Sequence, residues 1–98
     1  MRNLYIVAYD IVDDKRRTKA HKMLKGRGEA LQYSVFQCAL SRAEYVTLMA
    51  DLWPFINEKE DRVILVDVGP QDGRGKLAVE SWGRPIEEPP APGMAMVF

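Results

Sequence analysis

The segment from residue 4 to residue 11 is apolar on both of its faces, and this feature constrains the fold of the chain more than any other. Aromatic and β-branched residues dominate it, which is typical of a β-strand. Alternate side chains of a strand point to opposite faces, so Asp10 lies at the end of one row and Tyr9 lies in the other. Because both rows are apolar, we expect a central strand that is covered on both sides.

The remaining elements follow in an order that defines a fold class. Ser41 and Glu44 have the spacing of a capping box, which predicts the start of the second helix. The order β-α-β-β-α-β, with an additional C-terminal edge strand, predicts an α+β protein with a ferredoxin-like βαββαβ sandwich. The predicted segments are a helix over 14–25 with Asp13 as N-cap, two strands within 29–40 broken near residues 33 and 34, a helix after Ser41, a strand over 62–68 and an edge strand over 76–82.

The domain boundary is predicted near residue 82. Residues 83–98 hold four prolines and two glycines, which forbids a regular element and predicts a tail or a docking arm. Residues 1–82 then form one ferredoxin-like domain whose two helices cover one face of the sheet. An uncovered apolar face needs a partner, so we expect a symmetric homodimer, packed sheet to sheet or through swapped edge strands.

Composition excludes several classes of protein. At 98 residues and 47% hydrophobic, the chain has the size and apolar content of one small globular domain. Its single cysteine, Cys38, excludes an internal disulfide framework and fits a reducing compartment. No apolar run approaches the roughly 18 residues that a membrane span needs. These features predict a soluble, cytoplasmic protein that does not interact with membranes.

Positive charge is concentrated in the first half of the chain. The formal net charge is zero, but residues 1–43 carry nine basic and four acidic side chains, while residues 44–98 carry five and ten. The first predicted helix contains most of the excess, and such a stretch is the natural candidate for binding phosphates. The alternative interpretation is a solvated helix face. The candidate nucleic-acid-binding residues are Arg16, Arg17, Lys19 and Lys22.

Asp10 is the candidate metal ligand. A carboxylate at the end of an apolar strand, just before a basic helix, suits Mg²⁺, which takes one or two protein carboxylates and completes its octahedron with water and phosphate. One aspartate per chain makes a poor site, but a dimer axis would bring two together. The alternative is that Asp10 only bonds local backbone amides at the end of the strand.

Two segments, YDIVDDKRR at 9–17 and GEALQYSVF at 28–36, resemble the CRISPR-associated protein two family. In that family a Tyr-Asp-Ile strand end leads into a basic helix, and a Gln-x-Ser-Val-Phe strand follows. The resemblance extends over roughly residues 3–82. It implies a ferredoxin-like homodimer with metal-dependent endonuclease activity on single-stranded RNA or duplex DNA. It also implies a role in spacer acquisition, in which the dimer bridges dimers of the CRISPR integrase, the CRISPR-associated protein one.

The resemblance also carries residue roles over to this chain. Asp10 matches the family's metal-binding aspartate. Tyr9, Arg17 and Phe36 match positions tied to activity in some members, and Lys19 stands where an arginine can occur. The set implied to be catalytic is therefore Tyr9, Asp10, Arg17 and Phe36, with Mg²⁺ as the cofactor.

Two alternatives remain open at the level of the sequence. Ala30 stands where some members have a phosphate-contacting arginine, which favours a non-catalytic dimeric scaffold that bridges integrase dimers and grips the backbone of duplex DNA. The other alternative is a small-molecule regulatory domain or an RNA-binding module of the same fold. The aromatic and basic signature expected of an RNA-recognition strand is missing, which disfavours the RNA-binding module.

Overall fold

The computed structural model describes residues 1–80, 82 and 83, and it has the predicted order of elements through residue 70. Four strands form one antiparallel sheet in the order β2-β3-β1-β4, so that β1 is central. This order is that of the ferredoxin-like fold, as the sequence predicted. The elements are β1 (Asn3–Asp10), α1 (Asp14–Lys25), β2 (Glu29–Gln32), β3 (Val35–Leu40), α2 (Arg42–Leu52), a 3₁₀ turn (Trp53–Phe55), β4 (Arg62–Pro70) and α3 (Arg74–Ala78).

Local sequence signals fix where the two long helices begin. The Asp13 carboxylate accepts a hydrogen bond from the backbone N–H of Arg16 at 2.9 Å, which satisfies one of the free donors at the start of α1. At α2, the Glu44 N–H donates to the Ser41 hydroxyl, and the Glu44 carboxylate accepts from the Ser41 N–H. Both predicted caps are confirmed.

The hydrophobic core lies between the helices and one face of the sheet. Phe36 and Cys38 of β3 are fully buried there, beside the β1 side chains that point to the same face. Burial raises the pKa of Cys38 to about 11, so the thiol stays protonated near neutral pH and acts as a small apolar core residue. The other principal core residues are Tyr5, Val7, Tyr9, Ile11, Ala20, Leu24, Leu48 and Leu52.

The opposite face of the sheet is apolar and exposed. Ile64 and Val66 of β4 are 49% and 45% exposed, whereas Val63 and Leu65, at the alternate positions of the same strand, pack against the core. In the register of β1 with β4, Ala8 lies opposite Ile64, and Ile6 lies opposite Val66. These four side chains therefore form a continuous apolar surface, which we call the open face.

The predicted edge strand over 76–82 is wrong for the residues that the structure describes. Residues Arg74–Ala78 form the short helix α3, which packs against β4 and β1. Gly75 explains this turn, because a Cβ there would lie 2.6 Å from the Gly69 carbonyl oxygen and 2.7 Å from that of Pro70. The missing side chain lets the chain fold back tightly on the end of β4. The predicted tail over 83–98 lies outside the described residues, except for Gly83.

Within the same described residues, none of the helices has the length and apolar character that crossing a membrane requires.

Candidate functional site

Four segments meet at one end of the sheet. They are the end of β1, the start of β4, the turn between β2 and β3 and the start of α1. Asp10, the last residue of β1, lies directly opposite Arg62, the first residue of β4. The β2–β3 turn is held at the same end of the sheet, because the Tyr9 N–H donates to the Ser34 carbonyl oxygen at 3.0 Å. The basic helix α1 begins four residues after Asp10. The candidate site is therefore a strand-end carboxylate next to a cationic helix.

The Asp10 carboxylate is exposed and lies at the end of the open face. Its neighbours Tyr9 and Ile11 are buried in the core, so alternation along β1 directs Asp10 to the side of Ile6 and Ala8. No hydrogen bond or ion pair joins this carboxylate to another side chain of the described residues. An uncompensated carboxylate is a fitting hard-oxygen ligand for Mg²⁺.

A single chain supplies too few ligands for a closed metal site. Among the residues described, no three His, Cys, Asp or Glu side chains are grouped so that they could hold a metal ion. Mg²⁺ accepts one or two protein carboxylates when water and phosphate fill the other positions. The donor set at Asp10 therefore fits this ion only as an open site.

Tyr9 and Phe36 lie in the core, on the face opposite Asp10. Phe36 is fully buried and stacks on the Tyr9 ring at 6.4 Å. The Tyr9 hydroxyl donates to the Tyr33 carbonyl oxygen at 3.2 Å and lies 3.3 Å from His21 Nδ1. In this arrangement the two side chains support the β2–β3 turn, and neither is placed to touch a substrate.

The protonation state of Tyr9 also limits what it does. Burial raises its pKa to about 12, although the nearby positive charge of Arg17 acts in the opposite direction. The hydroxyl is therefore protonated at neutral pH and serves as a hydrogen-bond donor, not as a general base.

Arg16 takes part in the fold rather than presenting a free charge. Its guanidinium pairs with the Asp61 carboxylate and donates to the Phe55 carbonyl oxygen at 3.3 Å. Its side chain is largely buried by these contacts, and the Asp13 carboxylate lies 3.9 Å from its Nε. A phosphate would have to compete with two carboxylates for this residue.

The other three predicted phosphate ligands are more accessible. Arg17 donates to the Ile11 carbonyl oxygen at 3.0 Å and pairs with Asp14, which holds it beside the loop that follows Asp10. Lys19 and Lys22 are exposed, and the Lys19 ammonium lies 5.4 Å from the centre of the Phe55 ring. The structure thus holds Arg17 at the backbone of Ile11, the residue after Asp10, and leaves two lysines exposed to solvent or phosphate.

Sequence reasoning missed Asp61, whose side chain is fully covered in the structure. Its partner Arg16 is 45 residues away along the chain, so no local spacing could have linked them. The one sequence signal for Asp61 is its position directly before the strand that pairs with β1. A position of that kind does not identify a functional residue.

Comparison with known proteins identifies the family. The family model described as CRISPR associated protein Cas2 matches residues 2–74. The chain belongs to the Cas2 family. A Synechocystis relative named CRISPR-associated endoribonuclease Cas2 3 is 39% identical over 88 residues, which are 89% of this chain and 92% of the relative. A Rhodospirillum rubrum relative, CRISPR-associated endoribonuclease Cas2 1, is 41% identical over 83 residues, which are 85% of this chain and 80% of the relative.

Solved structures of similar proteins have the same fold. The hypothetical protein TT1823 from Thermus thermophilus has a TM-score of 0.73 at 35% identity, covering 90% of this chain and all of that one. Streptococcus pyogenes Cas2, crystallised at pH 6.5, has a TM-score of 0.68 at 27% identity, covering 82% of this chain and 99% of that one. The resemblance carried by the segments 9–17 and 28–36 is thus confirmed over most of the Cas2 domain.

Proposed function

We propose that this Cas2 family protein is a Mg²⁺-dependent endonuclease that acts as a symmetric homodimer during spacer acquisition. The observation that carries the proposal is the position of Asp10. An exposed carboxylate, which pairs with no other side chain of the described residues, stands at the end of the open face and next to the start of the basic helix α1. A metal ligand, a dimer surface and a phosphate-binding surface would therefore share one end of the sheet.

The homodimer follows from the open face. Ile6, Ala8, Ile64 and Val66 expose apolar surface that a second copy of the chain would bury. In a two-fold dimer each residue of the interface meets the same surface on the other copy. A two-fold axis that passes next to Asp10, at the end of this face, would bring two Asp10 carboxylates to one place and make up the ligands that a single chain lacks.

The roles of the protein groups follow from their contacts. Asp10 would hold the ion, which when bound supplies Lewis-acid activation of the phosphate and of a water molecule. Arg17, which donates to the Ile11 carbonyl oxygen, would neutralise charge on the phosphate at the scissile bond. Lys19 and Lys22 would grip neighbouring phosphates along the strand. Tyr9 and Phe36 would position the β2–β3 turn from within the core.

The substrate is a nucleic acid, and single-stranded RNA is the first candidate. Its support is the name endoribonuclease that the similar proteins from Synechocystis, Rhodospirillum rubrum and Geobacter sulfurreducens carry. Duplex DNA is the second candidate. Contacts from a basic helix to the phosphate backbone serve either polymer.

The scaffold remains the competing function. Lys19 and Lys22 are exposed on α1 independently of Asp10, and such a helix would bind duplex DNA without cutting it. The dimer would then bridge dimers of the integrase, the CRISPR-associated protein one. Incubating the purified protein with end-labelled single-stranded RNA and duplex DNA, in Mg²⁺ or in EDTA, separates the two functions. Cleavage that needs Mg²⁺ supports the nuclease, and binding without cleavage supports the scaffold.

Neutralising the two exposed lysines should weaken binding in a salt-dependent manner. With Lys19→Gln and Lys22→Gln together, the slope of log affinity for duplex DNA against log salt should fall by about 0.9 for each phosphate group that the variant no longer binds. Arg42→Gln is the matched control, since Arg42 is an exposed cation at the start of α2. Fluorescence anisotropy at several salt concentrations measures the slope. An unchanged slope in the double variant would assign these lysines to solubility alone.

A further inference from the structure

Asp61 connects three segments of the chain through one buried carboxylate. No part of its side chain is exposed. The carboxylate accepts hydrogen bonds from the backbone N–H of Val12 at 3.0 Å and of Asn57 at 2.8 Å, and it pairs with the Arg16 guanidinium. These donors belong to the loop after β1, the loop before β4 and the helix α1.

The charge of Asp61 is favoured by these donors. Burial acts to raise its pKa, but the N–H groups of Asn57 and Val12 and the Arg16 guanidinium outweigh burial and hold the pKa below its ordinary value. Asp61 is therefore an anion at neutral pH, and it holds all three donors at once. A neutral side chain of the same shape would form weaker hydrogen bonds with these three donors, because hydrogen bonds to a charged acceptor are the stronger ones.

Asp61 is linked to the surroundings of Asp10 in two ways. Val12 is two residues after Asp10, so its hydrogen bond fixes the backbone that leaves the strand. Arg62, the neighbour of Asp61 in sequence, is the residue paired with Asp10 across β1 and β4. Asp61 thus restrains Asp10 both along the chain and across the sheet, although the two carboxylates do not touch.

We propose that Asp61 is a positioning residue that fixes the backbone around Asp10, so that the metal-binding carboxylate points in one direction. This inference rests on the proposed function, because it assigns Asp61 to the metal site of the dimer. Groups that orient a metal ligand affect metal affinity as well as activity. Asp61 does so through the backbone of the loop over 11–13 and not by binding the ion.

The decisive variant is Asp61→Asn, which keeps the shape of the side chain and removes its charge. In wild type one Asp61 oxygen accepts from Val12, and the other accepts from both Asn57 and Arg16. The one acceptor oxygen of asparagine should stay with Asn57 and Arg16, which leaves its NH₂ facing the Val12 N–H, so the Val12 hydrogen bond should be lost. Asp51→Asn is the matched control. It also removes one carboxylate from an ion pair, that of Arg27 and Asp51 at 2.7 Å, but this pair does not include the segments that Asp61 joins.

Two measurements on the full-length protein distinguish positioning from a purely structural role. The first is Mn²⁺ affinity, measured from the free-ion electron paramagnetic resonance signal. The second is hydrogen exchange at the Val12 amide. Asp61→Asn should bind Mn²⁺ about tenfold more weakly, a typical effect of losing a group that supports a metal ligand, and its Val12 amide should exchange faster. Asp51→Asn should change neither quantity.

The outcomes separate this inference from the proposed function. If wild type shows no Asp10-dependent Mn²⁺ binding, the metal site and the inference both fail. If wild type binds Mn²⁺ and Asp61→Asn binds it equally well with a fast-exchanging Val12 amide, the inference alone fails. Should Asp61→Asn not fold, Asp61→Glu keeps the charge but displaces the loop, and a folded dimer with unchanged Mn²⁺ affinity would overturn the positioning role.

Discussion

Replacing Asp10 with asparagine should abolish Mg²⁺-dependent cleavage while leaving the fold intact. Asparagine has the shape of aspartate but lacks the negative charge that binds a hard cation. Because Asp10 is exposed and pairs with no other described side chain, its loss should leave the melting temperature and the circular dichroism spectrum unchanged. Cleavage of labelled RNA and duplex DNA at several Mg²⁺ concentrations measures the effect. Asp72→Asn, an exposed aspartate in the turn after β4, is the matched control.

A different result would favour the alternative role of Asp10 at the end of the strand. If Asp10 only bonds local backbone amides, Asp10→Asn should cost about 1 kcal/mol of folding stability and leave cleavage unaffected. That combination would contradict the metal site. If wild type cuts nothing while Asp10→Asn still binds duplex DNA as wild type does, the scaffold function is favoured.

Placing a charge on the open face should separate the dimer. Val66 is 45% exposed in the single chain, so Val66→Lys should not disturb the monomer fold. In a sheet-to-sheet dimer each lysine would be buried without a partner, and an uncompensated buried charge costs about 3–5 kcal/mol. Dimerisation should weaken by about a hundredfold or more, and Mg²⁺-dependent cleavage should disappear with it. Sedimentation should then report the 11.2 kDa chain mass instead of twice that value.

The control for this substitution is Val46→Lys. Val46 is 53% exposed on α2, which belongs to the helical side of the domain. The same chemical change there should leave the dimer and the cleavage rate as in wild type. Equal effects of the two lysines, or a wild type that sediments as a monomer, would contradict the homodimer.

The arrangement around β1 could be predicted from the sequence because it depends on alternation alone. Successive side chains of a strand point to opposite faces, so Asp10 and Tyr9 lie on opposite faces of the sheet regardless of the rest of the fold. The helix starts at Asp13 and Ser41 were equally predictable, since each depends on residues within three positions. Which face the helices cover was not predictable from the strand, because both of its rows are apolar. That choice places Tyr9 and Phe36 in the core.

The features that the sequence did not reveal depend on interactions between distant residues. A run of basic residues predicts a phosphate-binding surface, yet Arg16 is held by Asp61 from the other half of the chain. An edge strand was predicted over 76–82, but the close approach of Gly75 to Gly69 and Pro70 turns the chain into α3 first. In both cases a tertiary interaction overrides the local prediction.

In the proposed homodimer, two Asp10 carboxylates, one from each chain, share one metal ion. The stoichiometry of Mn²⁺ binding to the purified wild-type dimer, with Asp10→Asn measured alongside, tests this arrangement. We expect one tight Mn²⁺ for every two chains, and none in Asp10→Asn. One tight ion per chain, or tight binding that survives Asp10→Asn, would contradict it.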